Sequence, residues 1–328
     1  MGIQKHKTVL LTGTAGFIGH KTAEFLLRDG YRVIGIDNMN DYYDVKLKEY
    51  RLNLLTRKDN FYFHEIDIEN KNKLLSLFRS NPINAVLNLA ARAGVRYSLE
   101  NPHIYASTNL QGSLNLLELA KDNGIDKYVL ASTSSIYAGE KMPFSEGLAV
   151  NSPISPYAAS KKAAELMAHS YHFIYGIDIS IVRYFTVFGP GGRPDMSIFR
   201  FIKWIDEGIP IKLYGDGTQA RDFTFVDDIA EGTIKALNKV GYEVVNLGGG
   251  NAPISLLTVI EMIEQSLGKK AKLEERKFPK TDMKETWADI SKAKKLLGWA
   301  PQVSFKEGLD RTIAWYHENK SWLSEVKV

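Results

Sequence analysis

The chain has 328 residues, 44% hydrophobic and 24% charged, with a formal net charge of +4. Its length exceeds one typical domain and predicts two lobes with ample apolar content for a core, and its interspersed charges require no anionic partner larger than a small molecule. The absence of cysteine excludes disulfides, thiol chemistry and zinc–thiolate sites, and the seven histidines show no metal-ligand spacing.

In chain order, MGIQKHKTVLL leads into the first strand without an apolar signal region, and no run reaches membrane-spanning length. The expectation is a cytoplasmic protein with no membrane and no nucleic-acid partner. TVLLTGTAGFIGHKTAEFLL predicts a buried strand, a turn holding Gly13, Gly16 and Gly19, and a helix; YRVIGID predicts a second strand ending at Asp37. This is a βαβ unit with a dinucleotide fingerprint, in which glycines let a pyrophosphate approach the backbone amides at the helix start. Asp37 suits an adenosine ribose and repels a 2′-phosphate, and Arg32 lies too early to rescue one, so the cofactor expected is NAD rather than NADP. NFYFHEI, NAVLNLA, KYVLAST and DISIVRY continue the alternation of strand and helix. The fold class predicted is α/β, a Rossmann-like doubly wound parallel sheet with a smaller, discontinuous α/β substrate domain.

After Arg183 the rhythm breaks, while FTFVDDIAEGTIKAL and YEVVNLG read as returns to the sheet. The division expected is 1–183 with 223–249 as the NAD-binding domain and 184–222 with 250–328 as the nucleotide-sugar domain. ENPHIYASTNLQGSLNLLELAKDNG and SPYAASKKAAELMAHSYHFIYG predict two long helices. Tyr157 and Lys161, four residues apart on the second, share one face. A phenol titrates near pH 10, and bringing it near neutrality takes about three units, or roughly 4 kcal/mol; a Lys161 cation and the positive nicotinamide ring are the expected sources. Alone, the pair is better described as the surface of an amphipathic helix. With the glycine turn upstream and STSSIY before it, it describes a redox site.

TGTAGFIG, NLAARAGVRYSLENP, STSSIYA, YAASK, RYFTVFGPGGRPDM, ARDFTFVDD and KKLLGW resemble the extended short-chain dehydrogenases of the nucleotide-sugar epimerase group across nearly the whole chain. Within that group, DNMNDYYDVKLKEYRL and GGRPDM resemble members acting on UDP-glucuronate. The resemblance implies NAD contacts from Gly13, Gly16, Phe17, Ile18 and Gly19 in the turn, and from Asp37 and Asn38 after the second strand. It further implies Asp67 and Ile68 at the adenine, Leu89, Ala90 and Ala91 along the dinucleotide, and Tyr157, Lys161 and Tyr184 near the nicotinamide. Asn88 departs from the histidine usual in the group.

Thr133 falls where the group places its catalytic hydroxyl, followed by Ser134 and Ser135. Relatives that eliminate water carry adjacent Asp and Glu there, because dehydration needs an acid for the leaving hydroxyl and a base for the carbon-bound proton. The implied activity is an isomerase reaction: NAD-dependent 4-epimerisation of a UDP-sugar through a 4-keto intermediate, interconverting UDP-glucuronate and UDP-galacturonate. The NAD is expected to stay bound between turnovers. By resemblance Thr186 and Arg193 face the sugar's 6-position, where a guanidinium fork matches a carboxylate. Arg221 corresponds to a diphosphate ligand and Asp282 to a nucleotide-ribose contact, while Arg96 suits either the phosphates or the carboxylate. The resemblance also implies a homodimer built on the two long helices. The rivals are an epimerase or decarboxylase acting on another nucleotide sugar, and a non-enzymatic NAD-binding regulatory protein.

Overall fold

A computed structural model describes residues 7–328; the reading of the first six residues lies outside them. The first half runs β1 (Thr8–Thr12), α1 (Phe17–Arg28), β2 (Arg32–Asp37), α2 (Val45–Leu55), β3 (Phe61–Glu65), α3 (Lys71–Ser80), β4 (Ala85–Asn88), two single-turn helices α4 (Tyr97–Glu100) and α5 (Pro102–Tyr105), α6 (Ser113–Asp122), β5 (Lys127–Thr133), α7 (Pro156–Tyr175) and β6 (Asp178–Tyr184). The second half runs β7 (Thr186–Phe188), α8 (Ser197–Glu207), β8 (Ile211–Tyr214), β9 (Ala220–Arg221), β10 (Phe223–Phe225), α9 (Val226–Lys235), β11 (Tyr242–Leu247), β12 (Ile254–Ser255), α10 (Leu256–Leu267), β13 (Leu273–Arg276), α11 (Ser291–Leu297) and α12 (Phe305–Glu318).

Seven strands form one parallel sheet in the order β11-β6-β5-β4-β1-β2-β3. β1 is buried along its length because both faces are covered. Val9 and Leu11 point into a core shared with α1 and α9, through Ala23, Leu26 and Ile229. Leu10 points the other way, towards α3, α6 and α7 through Leu74, Leu116 and Ala164. The strand order reverses between β1 and β4, which opens a crevice at their carboxyl ends where such folds take ligands. A third core joins Phe188, Ile198, Ile202, Val259 and Ile313 from the later segments with Leu47 of α2.

Two details depart from expectation. β11 does return to the sheet, but β10 pairs with β7 in a separate ribbon, because β11 already occupies the outer edge of β6. The first long helix is interrupted: Ala106–Gly112 is a π-helical turn between α5 and α6. Among the described residues no helix is long and apolar enough to cross a membrane.

Candidate active site

The turn after β1 owes its shape to glycine. Gly13 adopts φ 73° with its Cα against Ala90 after β4, where an added Cβ would come within 3.0 Å of the Ala90 nitrogen. At Gly19 an added Cβ would lie 2.0 Å from the Gly13 carbonyl oxygen, so α1 could not pack onto the turn with any larger residue. The turn opens onto a cavity of about 750 Å³, large enough for a dinucleotide and part of a second ligand.

The structure places every residue assigned to the site from the sequence on the wall of this cavity: Gly13, Gly16, Phe17, Ile18, Gly19, Asp37, Asn38, Asp67, Ile68, Leu89, Ala90, Ala91, Arg96, Thr133, Ser134, Ser135, Tyr157, Lys161, Tyr184, Thr186, Arg193, Arg221 and Asp282. Asp37 accepts from the Ala15 and Met39 amides and faces Lys48 at 3.6 Å. Asn38 donates to Asp67 at 2.6 Å, joining the ends of the second and third strands. Tyr184 gives its ring to the wall while its hydroxyl is bonded to Thr233. Asn88 lies behind the wall, bonded to Thr12, Ser113 and Tyr128. Its departure from histidine therefore falls within the buried support.

Tyr157 and Lys161 stand one turn apart at the start of α7, which Ser155 caps by accepting from the Ala158 amide and Pro156 begins. Burial pushes the Tyr157 phenol up from its ordinary value, opposed by a hydrogen bond with Thr133 and by the Arg193 charge. Lys161, the expected source of a downward pull on the phenol, is itself buried, only 3% exposed. Burial drives its own ammonium down to about 8, with Glu165 pulling the other way. Among the described residues the Lys161 ammonium has no hydrogen-bond or ion-pair partner. A buried cation facing the cavity in this state fits a ligand bearing ribose hydroxyls, and with the glycine cradle and Asp37 the site fits NAD.

Thr133 ends β5; its hydroxyl accepts from the Ser135 amide and donates to the Ser135 hydroxyl at 3.2 Å. Arg193 is half-buried, stacked over the Tyr42 ring at 5.6 Å and held by Asp195 through two hydrogen bonds of 3.0 and 2.5 Å. Asp195 takes up two of the guanidinium's donors, and Arg200, whose Nε is buried without a partner, leaves this corner with a positive excess. Arg96 and Asp282 meet each other at 2.6 Å across the cavity mouth, with Arg96 over the Tyr214 ring. Arg221 hydrogen-bonds the Ala220 and Lys284 carbonyls near them.

Tyr42, Tyr43, Lys48, Arg92 and Arg200 also line the cavity. The run DNMNDYYDVKLKEYRL marked this region by resemblance, without roles for single residues. Asn109, on the π-helical turn, exchanges two hydrogen bonds with the Arg92 backbone and donates a third to Ser160, tying the loop after β4 to α7. No local pattern announces that contact.

Residues 10–312 match the family profile described as GDP-mannose 4,6 dehydratase. UDP-glucuronate 4-epimerase of Thermodesulfobacterium geofontis is 60% identical over 97% of this chain and 99% of that protein. The crystal structure of UDP-glucuronic acid 4-epimerase from Bacillus cereus, in complex with UDP-glucuronic acid and NAD, superposes with a TM-score of 0.90 at 39% identity, over 95% of this chain and 99% of that one. UDP-glucose 4-epimerase of Thermotoga maritima with UDP-glucose gives a TM-score of 0.87 at 30% identity, over 95% and 99%. The dehydratase chemistry in the profile's description requires an acid and a base after β5, where this chain has only Thr133, Ser134 and Ser135. On fold, site and likeness the chain belongs to this family of extended short-chain dehydrogenases, on the side of the NAD-dependent UDP-glucuronate 4-epimerases.

Proposed function

We propose that the chain interconverts UDP-glucuronate and UDP-galacturonate through a 4-keto intermediate. The observation that carries this reading is the meeting of Tyr157, Lys161, Thr133 and Arg193 on the wall that also holds the glycine turn. NAD, when bound, supplies an acceptor for the C4 hydride and a source from which it returns. Tyr157, ionised to its phenolate once the positive charge of bound NAD joins Lys161 beside it, takes the proton of the sugar's 4-hydroxyl at its phenolic oxygen, and Thr133 holds the sugar oxygen by a hydrogen bond. Lys161 gains ribose hydroxyls as partners and places its charge beside the reacting oxygens. The keto sugar turns about its link to the diphosphate and is reduced on its opposite face, with Tyr157 returning the proton.

Arg193, aided by Thr186, holds the carboxylate through donors that Asp195 leaves free, and Arg200 adds the charge that offsets Asp195. That grip has a chemical purpose. Oxidation at C4 makes a β-keto acid, which loses carbon dioxide when the breaking bond aligns with the carbonyl π system; a fixed carboxylate is kept out of alignment. Arg96, Arg221 and Asp282, on the same wall, hold the UDP in this reading. In the same reading residues 1–183 and 223–249 hold NAD, and 184–222 with 250–328 hold the nucleotide sugar.

The test is to incubate purified protein with UDP-glucuronate and identify the product. UDP-galacturonate without net NADH is expected, and Tyr157→Phe should lower the rate by about a hundredfold to ten-thousandfold. Net NADH, or a pentose product with carbon dioxide, would reject the reading in favour of a dehydrogenase or a decarboxylase.

A further inference from the structure

We propose that Arg51 is a positioning residue that ties the cofactor turn to the loop carrying Arg193, so that NAD retention and recognition of the sugar's carboxylate strengthen and weaken together. The inference rests on the reading of Arg193 given above.

Arg51 lies on α2 and is only 1% exposed. Among the described residues its guanidinium meets no carboxylate and is used up on neutral acceptors from separate parts of the chain. Nη1 donates to the Ala15 carbonyl at 3.0 Å and to the Tyr43 hydroxyl at 2.7 Å. Nε and Nη2 donate to the Gly191 carbonyl at 3.0 and 2.7 Å, and Nη2 also to Gly192 at 3.3 Å. Ala15 belongs to the glycine turn, and Gly191 and Gly192 immediately precede Arg193.

A buried charge without a counter-charge is costly unless dipoles surround it, so moving either loop withdraws acceptors from a cation that has nowhere else to turn. His20, behind it, offers no relief: burial and then the Arg51 charge hold it neutral, with its pKa lowered to about 3. The rest of α2 serves the same bridge. Lys48, one turn earlier, faces Asp37; Leu55 enters the core beneath the sheet and Leu47 the core of the later segments. A planar fork spanning two loops makes their positions interdependent, and coupling of that kind is reciprocal between the ligands that the loops hold.

The experiment compares wild type, Arg51→Lys and Tyr43→Phe, each with and without Arg193→Ala. The rate of NAD release in the presence of UDP-glucuronate or UDP-glucose and the KM for both sugars are measured. In wild type UDP-glucuronate should slow NAD release more than UDP-glucose does. Arg51→Lys keeps the charge but cannot span both loops, and should cut that difference by about fivefold or more. It should raise KM for UDP-glucuronate more than for UDP-glucose, and adding Arg193→Ala should then change the KM ratio little. Tyr43→Phe removes one hydroxyl from the same cation and should act in the same direction by a smaller factor, which decides the matter if Arg51→Lys does not fold. A wild type that discriminates between the sugars while the folded variants keep the full NAD-release difference, losing only thermal stability, overturns the coupling alone. A wild type that treats both sugars alike removes the carboxylate reading, and this coupling with it.

Discussion

Lys161 is a cation built where a cation is disfavoured, and the cost should be measurable in the protein freed of nucleotide. Burial lowers its pKa from an ordinary 10.5 to about 8. Below pH 8 the lysine is protonated in both the folded and unfolded chain, and the full desolvation cost is present. Between pH 8 and 10.5 the unfolded chain holds the proton and the folded chain does not, so stability from this residue rises with pH. Lys161→Met should therefore abolish activity while making the nucleotide-free protein more stable at pH 7, by on the order of 2 kcal/mol. The gain should fade as pH approaches 10.5. Urea denaturation at pH 7 and pH 10 measures it, and a methionine variant less stable than wild type at both would show that the ammonium is accommodated after all. The glycine turn, Asp37, Tyr157 and Lys161 were legible in the sequence because their chemistry depends on short spacings. The phenol's surroundings were not: Arg193, 36 residues further along, opposes the upward push that burial gives the Tyr157 phenol.

At the scale of elements, the central strands were legible because a parallel sheet covered on both faces forces apolar runs, and β1, β2, β4 and β5 are buried along nearly all their length, while the edge strand β3 is mostly exposed. The π-helical turn was not legible. Its residues have ordinary helical composition, and its widened register is fixed by Asn109 reaching the Arg92 backbone and Ser160. A second tie holds the catalytic elements together. Glu165, one turn beyond Lys161 on α7, accepts from Ser132 at 2.6 Å and from Arg183 of β6 at 2.9 and 2.8 Å, all buried. Arg183 also donates to Tyr137 at 2.7 Å. The network locks α7 to the end of β5, where Thr133 sits. Glu165→Leu should cost about 3–5 kcal/mol, because it strands a buried guanidinium. Glu165→Leu with Arg183→Leu should recover more than half of that loss in chemical denaturation. A double variant as unstable as the sum of the singles would mean that packing, and not the stranded charge, sets the cost.

At the scale of the whole molecule, α7 carries two faces with different tasks. Its first turn presents Tyr157 and Lys161 to the cavity. Its later part exposes Leu166, Phe173, Ile174 and Tyr175, with Phe173 82% exposed. Leu99 is exposed beside the preceding helical segment, and α6 is held against α7 by Tyr171 donating to Glu118 and by Lys121 lying over the Tyr175 ring at 5.2 Å. Large apolar side chains left exposed along α7 favour a partner presenting the same surface, since self-complementary two-fold contacts are the commonest way to cover them. The protein should form a homodimer through α6 and α7, scattering light as twice the chain mass. Leu166→Glu with Phe173→Glu should yield a monomer, because the contact would then bury carboxylates without partners. These substitutions lie beyond Lys161 on the outward face, so the monomer should still retain NAD and convert UDP-glucuronate at a rate within about threefold of wild type, the scatter normal for surface changes away from a site. A wild type that stays monomeric at every concentration would leave the exposed face of α7 without this partner, and a monomeric variant that loses its NAD would show that the dimer helps to hold the cavity's shape.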